Sequence, residues 1–162
     1  MKKYSISDQM LLATWAADCV ERVLPLFEYV YPSDLRPRKA IQTCRDWVKT
    51  GEFKMFVIRG ASLNAHAAAR DVKENLVAFN VARAAGQAVA TAHVSQHAFG
   101  VFYALRAIAA AYPDCAEEKV MEEYKWQEQY IPKHLHEEYR KRVVVLKRKS
   151  GLFITIKKDK EF

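Results

Sequence analysis

An all-α fold, a bundle of about six helices around a central alanine-rich, uncharged helix, is predicted by three observations. Apolar side chains recur at helical spacing along most of the 162 residues, 18 of the 52 residues in 61–112 are alanine, and the 22 positions 84–105 hold no Asp, Glu, Lys or Arg. Alanine has the highest helix propensity and lets helix axes approach closely. A helix without charges belongs inside a bundle, wrapped by its neighbours. No internal repeat or low-complexity linker interrupts the chain. Its 51% apolar content suits a single domain over 1–162, long enough to bury about two-thirds of the surface exposed when unfolded.

The first helix is expected over 8–31, where Leu12, Trp15, Ala16, Cys19, Val23, Leu26, Phe27 and Val30 share a face behind Asp8 as N-cap. Pro25 removes a donor and crowds the Glu21 carbonyl, so a kink or restart is expected there. Tyr31-Pro32-Ser33-Asp34 ends the helix. A second helix is expected over 37–50, with Ala40, Ile41, Cys44, Trp47 and Val48 on one side and Gly51 at its stop. Trp15 and Trp47 are read as core. Two or three helices follow over about 54–71, 75–92 and 93–112, the last two read as one continuous rod or as two helices in succession. Asp114 is expected to cap a helix reaching Tyr130.

Ile131-Pro132 opens the last segment, in which Leu135, Tyr139, Val143 and Leu146 share a helical face. The β-branched run Val143-Val144-Val145 also suits a hairpin with residues 152–156 across Lys149-Ser150-Gly151. A helix followed by an irregular tail over 147–162 is favoured.

The uncharged span is long enough to cross a membrane, but it contains Gln87, Thr91, His93, Ser95, Gln96 and His97, whose burial in lipid is costly. No membrane association is expected. The basic N-terminus is followed by an apolar patch bracketed by Asp8 and Asp18, which is not the pattern of a signal peptide. Three widely spaced cysteines, Cys19, Cys44 and Cys115, argue against a disulfide framework or zinc ribbon and favour a reducing, cytoplasmic setting.

The net charge of +7 is concentrated in places: residues 140–149 carry six cations. They read either as a nucleic-acid or other anion-attracting surface, or as a solvated helix end whose cations complement the helix dipole. The second reading is favoured, and nucleic acid is not the preferred partner.

On a continuous helix Gly86, Ala90, His93, His97, Gly100 and Ala104 form one stripe. That stripe is a small-residue seam, so the two imidazoles should be enclosed, neutral and hydrogen-bonded. Asp18 with Arg22, and His66 with Arg70, form i,i+4 pairs able to join them, which gives a buried polar layer of Asp18, Arg22, His66, Arg70, His93 and His97. The competing reading is a metal site on His93 and His97, with His66, Asp18 or Cys19 as third ligand. No Glu stands beside His93 as in His-Glu-x-x-His, and no carboxylate lies in the run. Neither Ser95 nor Cys19 lies in a nucleophile motif, and no glycine-rich phosphate loop is present. No catalytic residue, metal or cofactor is therefore assigned.

Four stretches carry a family resemblance: residues 12–24 with Trp15, Asp18, Cys19, Glu21 and Arg22; Arg36-Pro37-Arg38-Lys39-Ala40-Ile41; Ala65-His66-Ala67-Ala68-Ala69-Arg70; and residues 82–98 with Arg83, Gly86, Gln87, His93, Gln96 and His97. A fainter echo follows at Trp126-Gln127 and Ile131-Pro132. On these residues the chain resembles the Imm-5-like immunity proteins of bacterial polymorphic toxin systems, small all-helical cytoplasmic proteins, over about 8–146. The resemblance implies a binder that neutralises a cognate toxin and has no chemistry of its own.

A binding surface needs aromatic or arginine anchors rimmed by polar groups. Tyr124, Trp126, Tyr130, Tyr139, Arg140, Lys141 and Arg142 are the candidates for it. A metal-dependent helical enzyme using His93 and His97, and a nucleic-acid binder using the basic C-terminal segment, are the alternatives. A leftover apolar face would also allow self-association.

Overall fold

The computed structural model describes residues 2–160 and 162. In chain order its elements are α1 (Ile6–Glu28), α2 (Arg36–Thr50), α3 (Met55–Asp71), α4 (Leu76–Ala90), α5 (Phe102–Ala111), α6 (Ala116–Tyr130), α7 (His136–Arg142), β1 (Val143–Arg148) and β2 (Gly151–Ile156). Short 3-10 segments at Ser95–Val101, Pro113–Cys115 and Lys133–Leu135 lead into α5, α6 and α7. The architecture is the helical bundle that the alanine content and apolar spacing predict, with one antiparallel hairpin at its C-terminal end.

Local chemistry explains most of the boundaries. Ser5 Oγ accepts a hydrogen bond from the Asp8 N–H at 3.0 Å, so the N-cap lies three residues before the expected Asp8. Pro25 does not end α1. Only the bond to the Glu21 carbonyl is lost, and the Pro25 carbonyl still accepts from the Tyr29 N–H at 2.9 Å. Gly51, at φ 69°, closes α2 by donating its N–H to the Trp47 carbonyl at 2.8 Å. Asn75 Oδ1 caps α4 through the Ala78 N–H at 3.0 Å.

Helix α4 packs against α1, α2, α3 and α5. Ala78, Val81, Ala82, Ala85, Ala88 and Val89 are fully buried along it, and with side chains this small the neighbouring backbones come close. Where α1, α2 and α4 meet, Cys44 Sγ lies 3.5 Å from the Ala88 carbonyl and 3.7 Å from that of Ala13. Trp15 and Trp47 are core residues, as expected. Trp15 sits edge-on to Phe99 and Tyr139, at 6.3 and 5.6 Å between ring centroids.

Two alternatives open in the sequence are resolved. The uncharged span 84–105 is not one rod: α4 stops at Ala90, a turn follows, and the chain resumes as a seven-residue 3-10 segment before α5. The break is held by a tertiary contact, since Gln9 Nε2 of α1 donates to the Thr91 and Ala92 carbonyls at 2.8 and 3.1 Å. Those bonds satisfy acceptors that a helix end leaves free, and β-branched Thr91 and Val94 add little helix propensity against the break.

The second is at the C-terminus, where the alternative hairpin forms over residues 143–156 in place of the favoured helix with an irregular tail. Val143 pairs with Ile156 and Arg148 with Gly151, across Lys149-Ser150. The strands dock on α5 through buried Ile154, whose carbonyl accepts from Arg106 Nε at 2.8 Å. Among the described residues no helix is long and apolar enough to cross a membrane.

The buried Trp15 indole N–H donates to the Gln127 carbonyl at 2.9 Å, tying α1 to α6. Trp15→Phe removes one of two bonds to that carbonyl, which keeps the Ile131 N–H at 3.1 Å, and leaves a void beside Phe99. Urea unfolding should show a loss of about 2 kcal/mol, whereas an unchanged midpoint would mean that this bond contributes nothing.

Candidate functional site

Two glycines shape the most polar part of the interior. A Cβ at Gly86 would stand 2.5 Å from His66 Cε1 and 2.7 Å from its Nδ1, and one at Gly100 would stand 2.3 Å from Gln87 Cβ. Gly86 therefore lets the His66 ring lie against α4, and Gly100 lets the 3-10 segment approach Gln87. Arg83 Nη1 lies 3.3 Å from His66 Nδ1, and His97 Nδ1 lies 2.6 Å from Gln87 Oε1. A guanidinium only donates and a carbonyl oxygen only accepts. Neutral His66 therefore carries its proton on Nε2, and neutral His97 carries its proton on Nδ1.

Burial, with Arg83, His97 and Arg70 as smaller contributions, pushes His66 down to about 4. Burial, then His93 and Lys158, also lowers His97. Both rings are accordingly neutral at physiological pH. They border a cavity of about 440 Å³ between α3 and the chain after α4, with Met55, Ile58, Leu63 and Ala90 as apolar walls and Arg59 and His93 also lining it.

The predicted buried polar layer is only partly assembled. His66 and His97 are half-buried and close to each other, but His93 is exposed and stacks on Phe53 at 6.3 Å between centroids. The turn at 91–94 is the reason, because it removes the continuous helix on which His93 and His97 would share a seam. Asp18 does not pair with Arg22; it accepts from Arg45 Nη2 at 2.5 Å, and Arg45 also holds Glu21 at 2.8 Å. Arg22 instead pairs with buried Glu123 at 2.9 Å and lies over the Trp126 ring at 4.0 Å. Arg70 is exposed, and His66 turns to Arg83.

Among the described residues no group of three His, Cys, Asp or Glu side chains is placed to hold a metal ion. One ring nitrogen each of His66 and His97 is already engaged, and Cys19 is buried in the core.

The C-terminal binding candidates divide in the same way. Tyr139 is fully buried, with its hydroxyl donating to Gln127 Oε1 at 3.0 Å, and Arg142 is 1% exposed between Glu138 and Asp159, each at 2.7 Å. Neither is available to a partner, because folding 143–156 back as a hairpin brings Asp159 to Arg142 and closes this region. Tyr124 is half-buried, and half-buried Trp126 stacks on Tyr130 at 4.5 Å. Tyr130 is 56% exposed. Arg140 and Lys141 are exposed but pair with Glu128 and Asp159, and Lys147 pairs with Glu117. Much of the basic segment is thus neutralised by the chain's own carboxylates. Arg45, Arg83, Gln87 and Glu123 were missed from the sequence, although Arg83 and Gln87 stand four apart as lone polar residues in an alanine-rich helix.

Between about pH 6.5, the ordinary histidine value, and about pH 4, the unfolded chain binds a proton that folded His66 does not. Stability should therefore be complete above that window and fall as pH drops through it. His66→Gln should flatten this slope in urea unfolding at pH 7 and pH 5, leaving a remainder of the same sign from His97; an unaltered slope would refute the assignment. Gly86→Ala should cost about 1–3 kcal/mol by driving His66 off α4, read as a lower thermal midpoint.

The geometry can be set beside known proteins. The model of the family described as Imm-5 like putative immunity protein matches residues 2–134, which takes in α1 to α6 and with them both glycines, His66, Arg83, Gln87 and His97. No curated protein and no solved structure matches the chain. Since the match covers well over half of its length, the chain belongs to the Imm-5 like putative immunity protein family.

Proposed function

We propose that the chain is a non-catalytic immunity protein that acts in the bacterial cytoplasm by binding a cognate toxin, with no metal or cofactor. Membership of an immunity protein family supports this reading, and the outer face of α3 is the observation that carries it. Phe56, Gly60, Leu63 and Ala67 follow one another at helical spacing along that face. Phe56 is 81% and Leu63 53% exposed, and open space surrounds Gly60. Exposed Phe53 and Met55 extend the apolar surface to the rim of the histidine-lined cavity.

An apolar stripe of this kind, ending at a cavity, fits a protein partner. Arg59 and Arg70 stand on the same side of α3, and neither makes an ion pair with a described residue. They favour a partner surface with carboxylates around an apolar centre. The stacked pair Trp126 and Tyr130 is a second surface, on α6.

The test is co-expression with the product of the neighbouring open reading frame, scored as cell survival and followed by affinity measurement. The unsubstituted chain should protect. Phe56→Asp and Leu63→Asp should each weaken binding by about 2 kcal/mol, roughly 30-fold, with unchanged circular dichroism. Tyr130→Asp should retain protection. Loss with Tyr130→Asp alone would move the interface to α6, and absence of protection by the unsubstituted chain would remove the toxin reading for that partner. Salt-dependent retention on nucleic acid would favour the nucleic-acid alternative.

A further inference from the structure

A second cavity, of about 350 Å³, adjoins the α3 groove and shares His97 with it. Arg83 and Lys158 supply its charge, and none of its described lining residues is Asp or Glu. Phe102, Ile156 and Phe162 form apolar walls. Ile156, Lys158 and Phe162 lie beyond the residues matched by the family, so this cavity is completed by the chain's own C-terminal segment.

Arg83, unlike six other arginines, holds no carboxylate among the described residues. Arg22, Arg36, Arg38, Arg45, Arg140 and Arg142 each hold a carboxylate. Arg83 is oriented by neutral groups instead: Nη1 meets His66 Nδ1 at 3.3 Å, and Nη2 donates to the Tyr103 hydroxyl at 3.2 Å. Its guanidinium carbon lies 5.2 Å from the Tyr103 ring centroid. These contacts fix the direction of the guanidinium without cancelling its charge, and they leave some of its five N–H donors free. Lys158 is exposed, with its ammonium 5.2 Å from the Phe162 ring centroid and no carboxylate partner among the described residues. Two uncompensated cations beside aromatic and aliphatic walls match a ligand with an anionic head and an apolar body.

We propose that this cavity binds a small organic anion, a carboxylate or phosphate monoester on a flat apolar body, with Arg83 and Lys158 holding the head and Phe102, Ile156 and Phe162 enclosing the body. The cavity is the size of a small-ligand site, and the proposal does not rest on toxin neutralisation. The same chemistry can arrive as a free molecule or as an acidic residue beside an aromatic one on a partner protein.

Calorimetry on the full chain, with phenyl phosphate, benzoate, inorganic phosphate, benzyl alcohol and the blocked dipeptide acetyl-Phe-Glu-amide, separates these cases. Phenyl phosphate or benzoate should bind about tenfold more tightly than benzyl alcohol, and Lys158→Gln should lower that affinity about tenfold. Arg83→Gln should lower it at least as much. Lys158 is exposed near the C-terminal end, so Lys158→Gln remains informative if Arg83→Gln does not fold. Binding of the dipeptide alone, lost in Lys158→Gln, would support the same pocket chemistry supplied by a partner residue. Equal binding of benzyl alcohol, unchanged affinity in Lys158→Gln, or no binding of any probe would overturn the proposal.

Discussion

Close approach of backbones to α4 is the constraint on which the rest of the structure depends. Alanines at 78, 82, 84, 85 and 88 and glycine at 86 leave that helix with little side-chain bulk. Neighbouring helices therefore pack on its backbone rather than on a layer of long apolar side chains. Dispersion contacts are dense in such packing, but the volume for large hydrophobes has to be found elsewhere. Trp15, Phe27, Phe99 and Tyr139, on other elements, supply it.

The same constraint decides which polar groups enter the interior and how they are paired. His66 reaches α4 only because residue 86 lacks a Cβ, and the 3-10 segment that carries His97 reaches Gln87 only because residue 100 does. Once enclosed, each ring needs a partner. Arg83 and Gln87, one helical turn apart, provide one donor and one acceptor and so give the two histidines opposite tautomers. Arg83 thereby has no carboxylate partner among the described residues, which leaves a directed positive charge at a cavity wall. In contrast, most charges near the surface of α1, α2, α6 and α7 are matched within the chain.

That contrast separates regions suited to recognition from regions that serve stability. The C-terminal basic run looks like an anion-attracting surface when only its residues are counted, yet Arg140, Lys141, Arg142 and Lys147 fold back onto Glu128, Asp159, Glu138 and Glu117. The outer face of α3 has the opposite character: apolar side chains stand in solvent and the arginines beside them have no ion-pair partner among the described residues. A surface of this kind is costly to keep exposed unless something covers it, which is why the proposed interface is placed there.

The sequence by itself determined the helical class, the positions of α1, α2, α3, α4 and α6 to within a few residues, and the core placement of Trp15 and Trp47. These follow from periodicity, alanine content and stops such as Gly51, all of which act over a few residues. It also marked His66, Gly86 and His97 as polar or small positions in helices that otherwise look interchangeable. Tertiary structure alone decided the rest. The stop at Ala90 depends on Gln9, more than eighty residues earlier in the chain, and no neighbouring glycine or proline signals it. The choice of hairpin over helix at 143–156 depends on docking against α5 and on Arg106 reaching the Ile154 carbonyl. Partner choice among charges was likewise invisible, because Asp18 and Arg22 are one turn apart in the chain while the guanidinium and carboxylate that actually meet them, Arg45 and Glu123, come from other helices. Helix-forming preferences are local free energies, whereas pairing and burial depend on distances that exist only after the helices have packed.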